Sequence, residues 1–265
     1  MIVLCYCRVH VAHGKVLACL STGRLCINRT FGGADMPELD AKKAPTLRDA
    51  LVAAAAMVSV DVLLLGQGLL LLRADLPRSV ALTVLPGAVL VALAAPTVML
   101  VRYIRRRGLE LGFSRLGRRG WHLLWQAPAV VLGSASATAL VAPLFGIESG
   151  GGSTGEVLAR DLDSAAPVLV LLAGYLLIGP FIEEIVFRRV LMEYFDTLMP
   201  AAASVVVTSA IFGAAHIAPP AIVFTFFSGI GLALVARFHG NITSSFVVHA
   251  VNNLLASAAV IGALF

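Results

Sequence analysis

The sequence predicts an all-α polytopic membrane protein of about seven transmembrane helices, and three observations carry that reading. Of its 265 residues, 59% are hydrophobic and 13% charged, and the mean hydropathy of +0.92 lies well outside the range of a soluble globular domain. The apolar residues gather in runs of about 20, the length that crosses a hydrocarbon core as a helix. Arginines and lysines crowd at the ends of those runs, where they set orientation across a bilayer. Glycines and prolines fall within the runs, where neighbouring helices satisfy the freed backbone groups. The formal charge of +5 therefore reads as membrane orientation, and nucleic acid is not an expected partner.

Taken in order, the runs mark helices at residues 50–72, 79–101, 122–145, 165–195, 200–218, 220–237 and 241–263. The fourth exceeds one crossing, so its apolar first half spans part of the bilayer and the rest continues to a polar end at Asp196. The sixth is short, and Pro219 and Pro220 leave its start open. Lys42, Lys43 and Arg48 precede the first helix, and Arg102, Arg105, Arg106, Arg107, Arg115, Arg118 and Arg119 follow or end the second. Both groups belong on the cytoplasmic side of the cell membrane. The loop after the third helix carries Glu148, Glu156, Asp161 and Asp163 against Arg160 and belongs outside, while Arg237 and His239 fall inside again. The N-terminus is then cytoplasmic and the C-terminus external. The piece "GLELGFSRLG" at 108–117 reads equally as an interfacial helix on anionic lipid and as a plain basic connection.

Residues 1–49 form an expected cytoplasmic lead-in, and residues 50–265 the transmembrane domain. Cys5, Cys7, Cys19 and Cys26 all lie in the first 26 residues at spacings that match no zinc pattern. The same stretch lacks the basic start and unbroken apolar run of a signal peptide. Met36, opening "MPELDAKKAPTLRD", is the expected biological start.

Ionisable groups inside spanning segments are costly and face a bundle interior or a wet cavity. The first helix holds Asp61 and Gln67, the fourth Glu183, Glu184, Arg188 and Arg189, the fifth His216, and the seventh His249, Asn252 and Asn253. At about 1.5 Å per residue, Glu183, His216 and His249 lie roughly 18, 22 and 12 Å from the inner ends of their helices, so a shared site opening toward the cytoplasm is reasonable. Glu184 with Arg188, Phe212 with His216 and His249 with Asn253 are each four apart and share a helix face. Glu183 sits about 100° around from Glu184, so the two carboxylates are not expected to use one partner. One would be held by arginine while the other takes a proton from water. Each piece alone also has a plainer reading: Glu184 and Arg188 as a structural pair or part of a transport path, His216 as an interface residue, His249 with Asn253 as interhelical glue, and Asp61 as structural.

"EEIVFR" at 183–188, "FGAAH" at 212–216 and "HAVNN" at 249–253 resemble, in order, the three motifs of the CPBP family of intramembrane proteases, which includes the type II CAAX prenyl endopeptidases and bacterial Abi relatives. The resemblance spans roughly residues 120–263. It implies an intramembrane endopeptidase acting on membrane-associated peptides or proteins, with the lipid bilayer as its other partner. It implies Glu183 as the base that activates water, His216 as its partner in holding that water, and Glu184 and Arg188 as supporting residues. His249 and Asn253 are implied as stabilisers of the oxyanion. A divalent metal such as zinc on Glu183, His216 and His249 stays open beside a metal-free mechanism. No serine or cysteine has an evident base partner, so covalent catalysis is the weaker mechanism. The alternatives to an enzyme are a transporter, with the same residues as a coupling network, and a membrane scaffold or immunity protein.

Overall fold

The computed structural model describes residues 9–12, 15–18, 43–74, 76–147, 165–216, 218–258 and 261. The chain divides into two units, Met1–Lys42 and Lys43–Phe265. In the first, β1 (Val9–Ala12) and β2 (Lys15–Ala18) pair antiparallel, with Val11 opposite Val16. The four cysteines, Met36 and the acidic residues of the loop after the third helix lie outside the described residues.

Among the described residues the second unit has one α or mixed α/π helix for each predicted run, seven in all, with short 3-10 turns at Arg118–His122 and Ala142–Phe145 flanking the third. The helices are α1 (Leu47–Arg73), α2 (Arg78–Arg106), α3 (Leu123–Val141), α4 (residues 165–196), α5 (Ala201–Ala214), α6 (Pro219–His239) and α7 (Ile242–Ala256). Five are long and apolar enough to cross a bilayer, and α5 and α7 are shorter apolar helices. The chain is thus an all-α, multi-pass membrane protein in this unit.

Two boundaries differ from expectation for identifiable reasons. The second helix runs on to Arg106, where Arg105 and Arg106 complement the negative end of the helix dipole. It stops in a Schellman motif, with Gly108 at φ +68° and bonds from Gly108 N to Arg105 O and from Leu109 N to Ile104 O. Residues 108–117 are therefore an irregular connection, and the interfacial-helix alternative fails. The fifth helix ends at Ala214 instead of reaching 218, because Pro219 pushes Ala218 into an extended conformation (φ −72°, ψ 125°).

Cross-links at one end of the bundle fix the hairpin of α1 and α2. Asp49, buried in the first turn of α1, accepts from Thr46 N and Oγ1 at 2.8 and 2.7 Å, from Tyr103 Oη at 2.8 Å and from Arg107 Nε at 2.9 Å. The 108–117 connection then crosses to α4 and α7. Arg189 donates to the Glu110 carbonyl at 2.6 Å, Ile242 N to the Gly112 carbonyl at 3.1 Å, and Ser114 and Thr243 exchange two bonds. A core of Val60, Leu93, Leu100, Ile182, Ile185, Val186, Phe187 and Phe212 joins α1, α2, α4 and α5, so the middle of α4 is surrounded on several sides.

Candidate active site between helices four, five and seven

The fourth helix is not a regular α-helix. It passes from α (Ala165–Ala173) to π (Gly174–Ile178), back to α (Gly179–Glu183), to π again (Glu184–Leu191) and ends as α (Met192–Asp196). Such wide turns leave groups outside the regular ladder and recur at functional sites. The first has a cause in the sequence. The Gly179 N–H goes to the Gly174 carbonyl, and Pro180 has no N–H to give. The Tyr175 carbonyl is left for another donor, and Asn253 Nδ2 of α7 takes it at 3.0 Å.

The two carboxylates stand at the junction where the second wide turn begins, Glu183 closing the α segment and Glu184 opening the π segment. Glu184 is fully buried, while the Glu183 side chain retains 16% exposure. Arg188 lies one turn on from Glu184, with Nη1 at 3.4 Å from its Oε1, Nη2 donating to the Gly229 carbonyl at 3.3 Å, and its guanidinium 4.4 Å from the Phe212 ring centre. This dense set of charge, dipole and ring contacts offsets the cost of burying the pair. Close approach of α5 and α6 makes it possible: a Cβ at Gly213 would stand 2.9 Å from the Ile222 carbonyl oxygen.

His249 corrects the expectation that the carboxylates use separate partners. Its Nδ1 lies 3.0 Å from Glu184 Oε1 and its Nε2 3.4 Å from Glu183 Oε2. The two ring nitrogens project from opposite edges, so one imidazole spans both acids despite their different directions around the helix.

The sequence-predicted set thus divides. Glu183, Glu184, Arg188 and His249 share one contact network, whereas Asn253, one turn beyond His249 on α7, meets the Tyr175 carbonyl and accepts from Asn252 Nδ2 at 3.3 Å. His216 joins through packing: Nδ1 is 2.9 Å from the Phe212 carbonyl, and the Phe212 ring lies 4.9 Å from the His216 ring and 5.9 Å from that of His249. Arg189, adjacent to the motif, serves the scaffold, being buried between the Glu110 carbonyl and Glu193. Asp61, fourteen residues into α1 and so roughly 21 Å along it, is half-buried.

The proposed zinc set does not fit this arrangement. Among the described residues no three His, Cys, Asp or Glu side chains are grouped to hold a metal ion. Both nitrogens of His249 face carboxylates and Nδ1 of His216 faces a carbonyl, so Glu183, His216 and His249 do not converge on one point at metal-ligand distances.

With the geometry in view, residues 165–255 match the family model described as Type II CAAX prenyl endopeptidase Rce1-like. Over this stretch the chain is similar to the Rce1-like family. No curated protein and no solved structure matches the chain. The Rce1-like stretch covers about a third of the chain and takes in α4 to α7, with all six motif residues. It supports a CAAX-protease-like intramembrane endopeptidase, and hence a membrane-bound peptidase. The helices α1 to α3, including Asp61, stand outside the matched stretch.

Proposed function

We propose that the chain is an intramembrane endopeptidase that hydrolyses a peptide bond of a membrane-associated peptide or protein by glutamate-activated water. The unlike surroundings of two adjacent carboxylates carry the proposal. Glu184 is enclosed with Arg188 and His249, whereas Glu183 keeps an exposed edge. A carboxylate that is neutralised and enclosed suits a supporting role, and one that meets water suits a base.

In this reading Glu183 takes a proton from water as the oxygen adds to the scissile carbonyl. The His216 ring presents its protonated Nδ1 to the Phe212 carbonyl, which leaves the Nε2 lone pair of the neutral tautomer to hold that water. The N–H on His249 Nε2 and the free amide hydrogen of Asn253 supply donors for the oxyanion, where preorganised donors in a water-poor site are effective. Glu183 then returns its proton to the leaving amine. The substrate must present an extended segment, since a peptide bond inside a regular helix has its carbonyl engaged. No step passes through a metal.

The test mixes purified wild type and Glu183→Gln, each in nanodiscs, with a diverse pool of membrane-derived peptides, and reads new termini by mass spectrometry. New termini with wild type alone are the expected result. Identical termini from both folded proteins would overturn the assignment of Glu183, and the absence of new termini from both would overturn the peptidase reading.

A further inference from the structure

A cleft of about 400 Å³ lies over α4 between α2 and α7, lined by Ala94, Thr97 and Val98 of α2, Leu177 and Phe181 of α4 and Phe246 of α7. Phe181 stands two residues before Glu183 in the α segment Gly179–Glu183, which sets the two side chains about 200° apart around the helix. The cleft is therefore on the other side of α4 from the base and is not part of the site described above. Its surface is apolar throughout, because the one hydroxyl among these walls, Thr97 Oγ1, is turned back onto the Leu93 carbonyl at 2.6 Å. Val98 and Leu177 are exposed on helices that span the membrane, so the cleft opens where lipid chains surround the bundle.

One end of the cleft is closed, and charge follows it. Phe113, from the 108–117 connection, stacks on Phe181 with ring centres 4.9 Å apart and meets Phe246 edge-on at 5.9 Å, so the groove stops at the aromatic trio that this connection completes. Toward the same end α2 continues one face. Ala94, Val98, Val101 and Arg105 follow at spacings of four, three and four residues, and Arg102 lies four beyond Val98. Arg102 is then about 6 Å and Arg105 about 10 Å along the helix from Val98, where the apolar span gives way to the interface. Both arginines are exposed, and the ion pairs of the bundle engage Arg107, Arg188, Arg189 and Arg237 instead.

We propose that this cleft binds an anionic phospholipid, with one acyl chain lying between α2 and α7 against Phe181 and Phe246 and the phosphate meeting Arg102 and Arg105. An apolar groove and two exposed guanidinium groups on one helix face match the two ends of such a lipid. The chain fills apolar walls, and the anionic head draws basic residues at the membrane surface, where arginine offers paired donors that fit a phosphate. An apolar peptide side chain would account for the groove and not for the cations, and a soluble phosphate would account for the cations and not for the groove. The bound lipid bridges α2, outside the Rce1-like stretch, to the two helices that carry Glu184 and His249.

The test places the full chain in nanodiscs of phosphatidylcholine and phosphatidylglycerol, with a small share of the phosphatidylglycerol carrying a photoreactive diazirine in one acyl chain. After illumination, peptide mass spectrometry should find crosslinks concentrated around Val98, Leu177 and Phe246, well above those at the equally exposed Val58 of α1 and Leu132 of α3. Ala94→Trp, which fills the groove without changing charge, should remove them. Native mass spectrometry of the delipidated chain should show phosphatidylglycerol held more tightly than phosphatidylcholine. Arg102→Gln and Arg105→Gln should each weaken it about fivefold, the ratio that about 1 kcal/mol per cation gives, whereas Arg118→Gln, in the turn before α3, should not. Crosslinks spread evenly over the exposed helices of wild type would mean bulk lipid only and overturn the proposal, as would equal affinity for the two lipids. Loss of the crosslinks in discs holding two copies, or on adding a peptide that the chain cleaves, would give the groove to a dimer contact or to substrate and likewise overturn it.

Discussion

Asn253 donates its side-chain amide to the backbone carbonyl of Tyr175 at 3.0 Å, which ties a motif residue of α7 to the wide turn that Pro180 creates in α4. The consequence is a testable dependence of the site on a proline about one wide turn beyond the carbonyl that the Asn253 carboxamide engages. Replacing Pro180 by alanine supplies an N–H that competes for the Tyr175 carbonyl. The expected outcome for Pro180→Ala is a melting temperature equal to or above wild type, because proline is unfavourable inside a helix, together with a roughly tenfold loss of kcat as Asn253 loses its anchor. Peptide cleavage and thermal unfolding on the same nanodisc sample check both halves; full activity would show that the anchor is dispensable.

Removing Arg188 tests whether Glu184 is a buried charge held by its neighbours. Both side chains are almost wholly enclosed, and breaking such a pair leaves an uncompensated carboxylate at a cost of about 3 kcal/mol or more. Arg188→Met should therefore unfold at a clearly lower temperature. Glu184→Gln combined with Arg188→Met should recover part of the loss, since no charge is then stranded. A double variant no more stable than the single one would mean that Arg188 acts chiefly through Phe212 and the Gly229 carbonyl.

Much of this architecture is legible in the sequence because a bilayer imposes length and polarity on each helix. All seven runs became helices, and the spacing of Glu184 to Arg188 and of Phe212 to His216 gave real contacts. What escaped depends on departures from regular geometry. The wide turns of α4 invalidate a fixed rotation per residue, and the two-ended imidazole of His249 reaches both acids. The second arginine of the "RR" pair had no visible purpose until the 108–117 connection was seen to cross over α4 and accept its hydrogen bond.

That crossing makes Gly112 a sensitive position. Its φ of +83° is one that side chains rarely adopt, and an added Cβ would sit 2.8 Å from Arg189 Cδ. Gly112→Ala should lower stability by about 2 kcal/mol from backbone strain and overpacking, read as a drop in the thermal midpoint in detergent. Gly108→Ala, at φ +68° but with open space around it, separates the two causes, because it carries the backbone strain without the collision. If both variants fall equally, contact with Arg189 contributes nothing.

Metal removal is the sharpest test of how the imidazoles are used. A zinc site needs three or four donors directed at one point about 2.0 to 2.2 Å away, and here the candidate donors already face one another: His249 spans Glu183 and Glu184, and His216 faces the Phe212 carbonyl. In the proposed mechanism His249 donates through its Nε2–H and His216 holds water on its Nε2 lone pair, and a metal ion on either nitrogen would abolish that role. Treatment with a strong chelator followed by buffer exchange should leave the rate of peptide cleavage within about twofold, and excess zinc should slow it by competing for those nitrogens. Loss of cleavage on chelation with recovery at one equivalent of zinc would require His249 to leave Glu184 and His216 to turn toward Glu183. It would also change the expectation for Asn253, since the ion would then stabilise the oxyanion and Asn253→Ala would cost little activity.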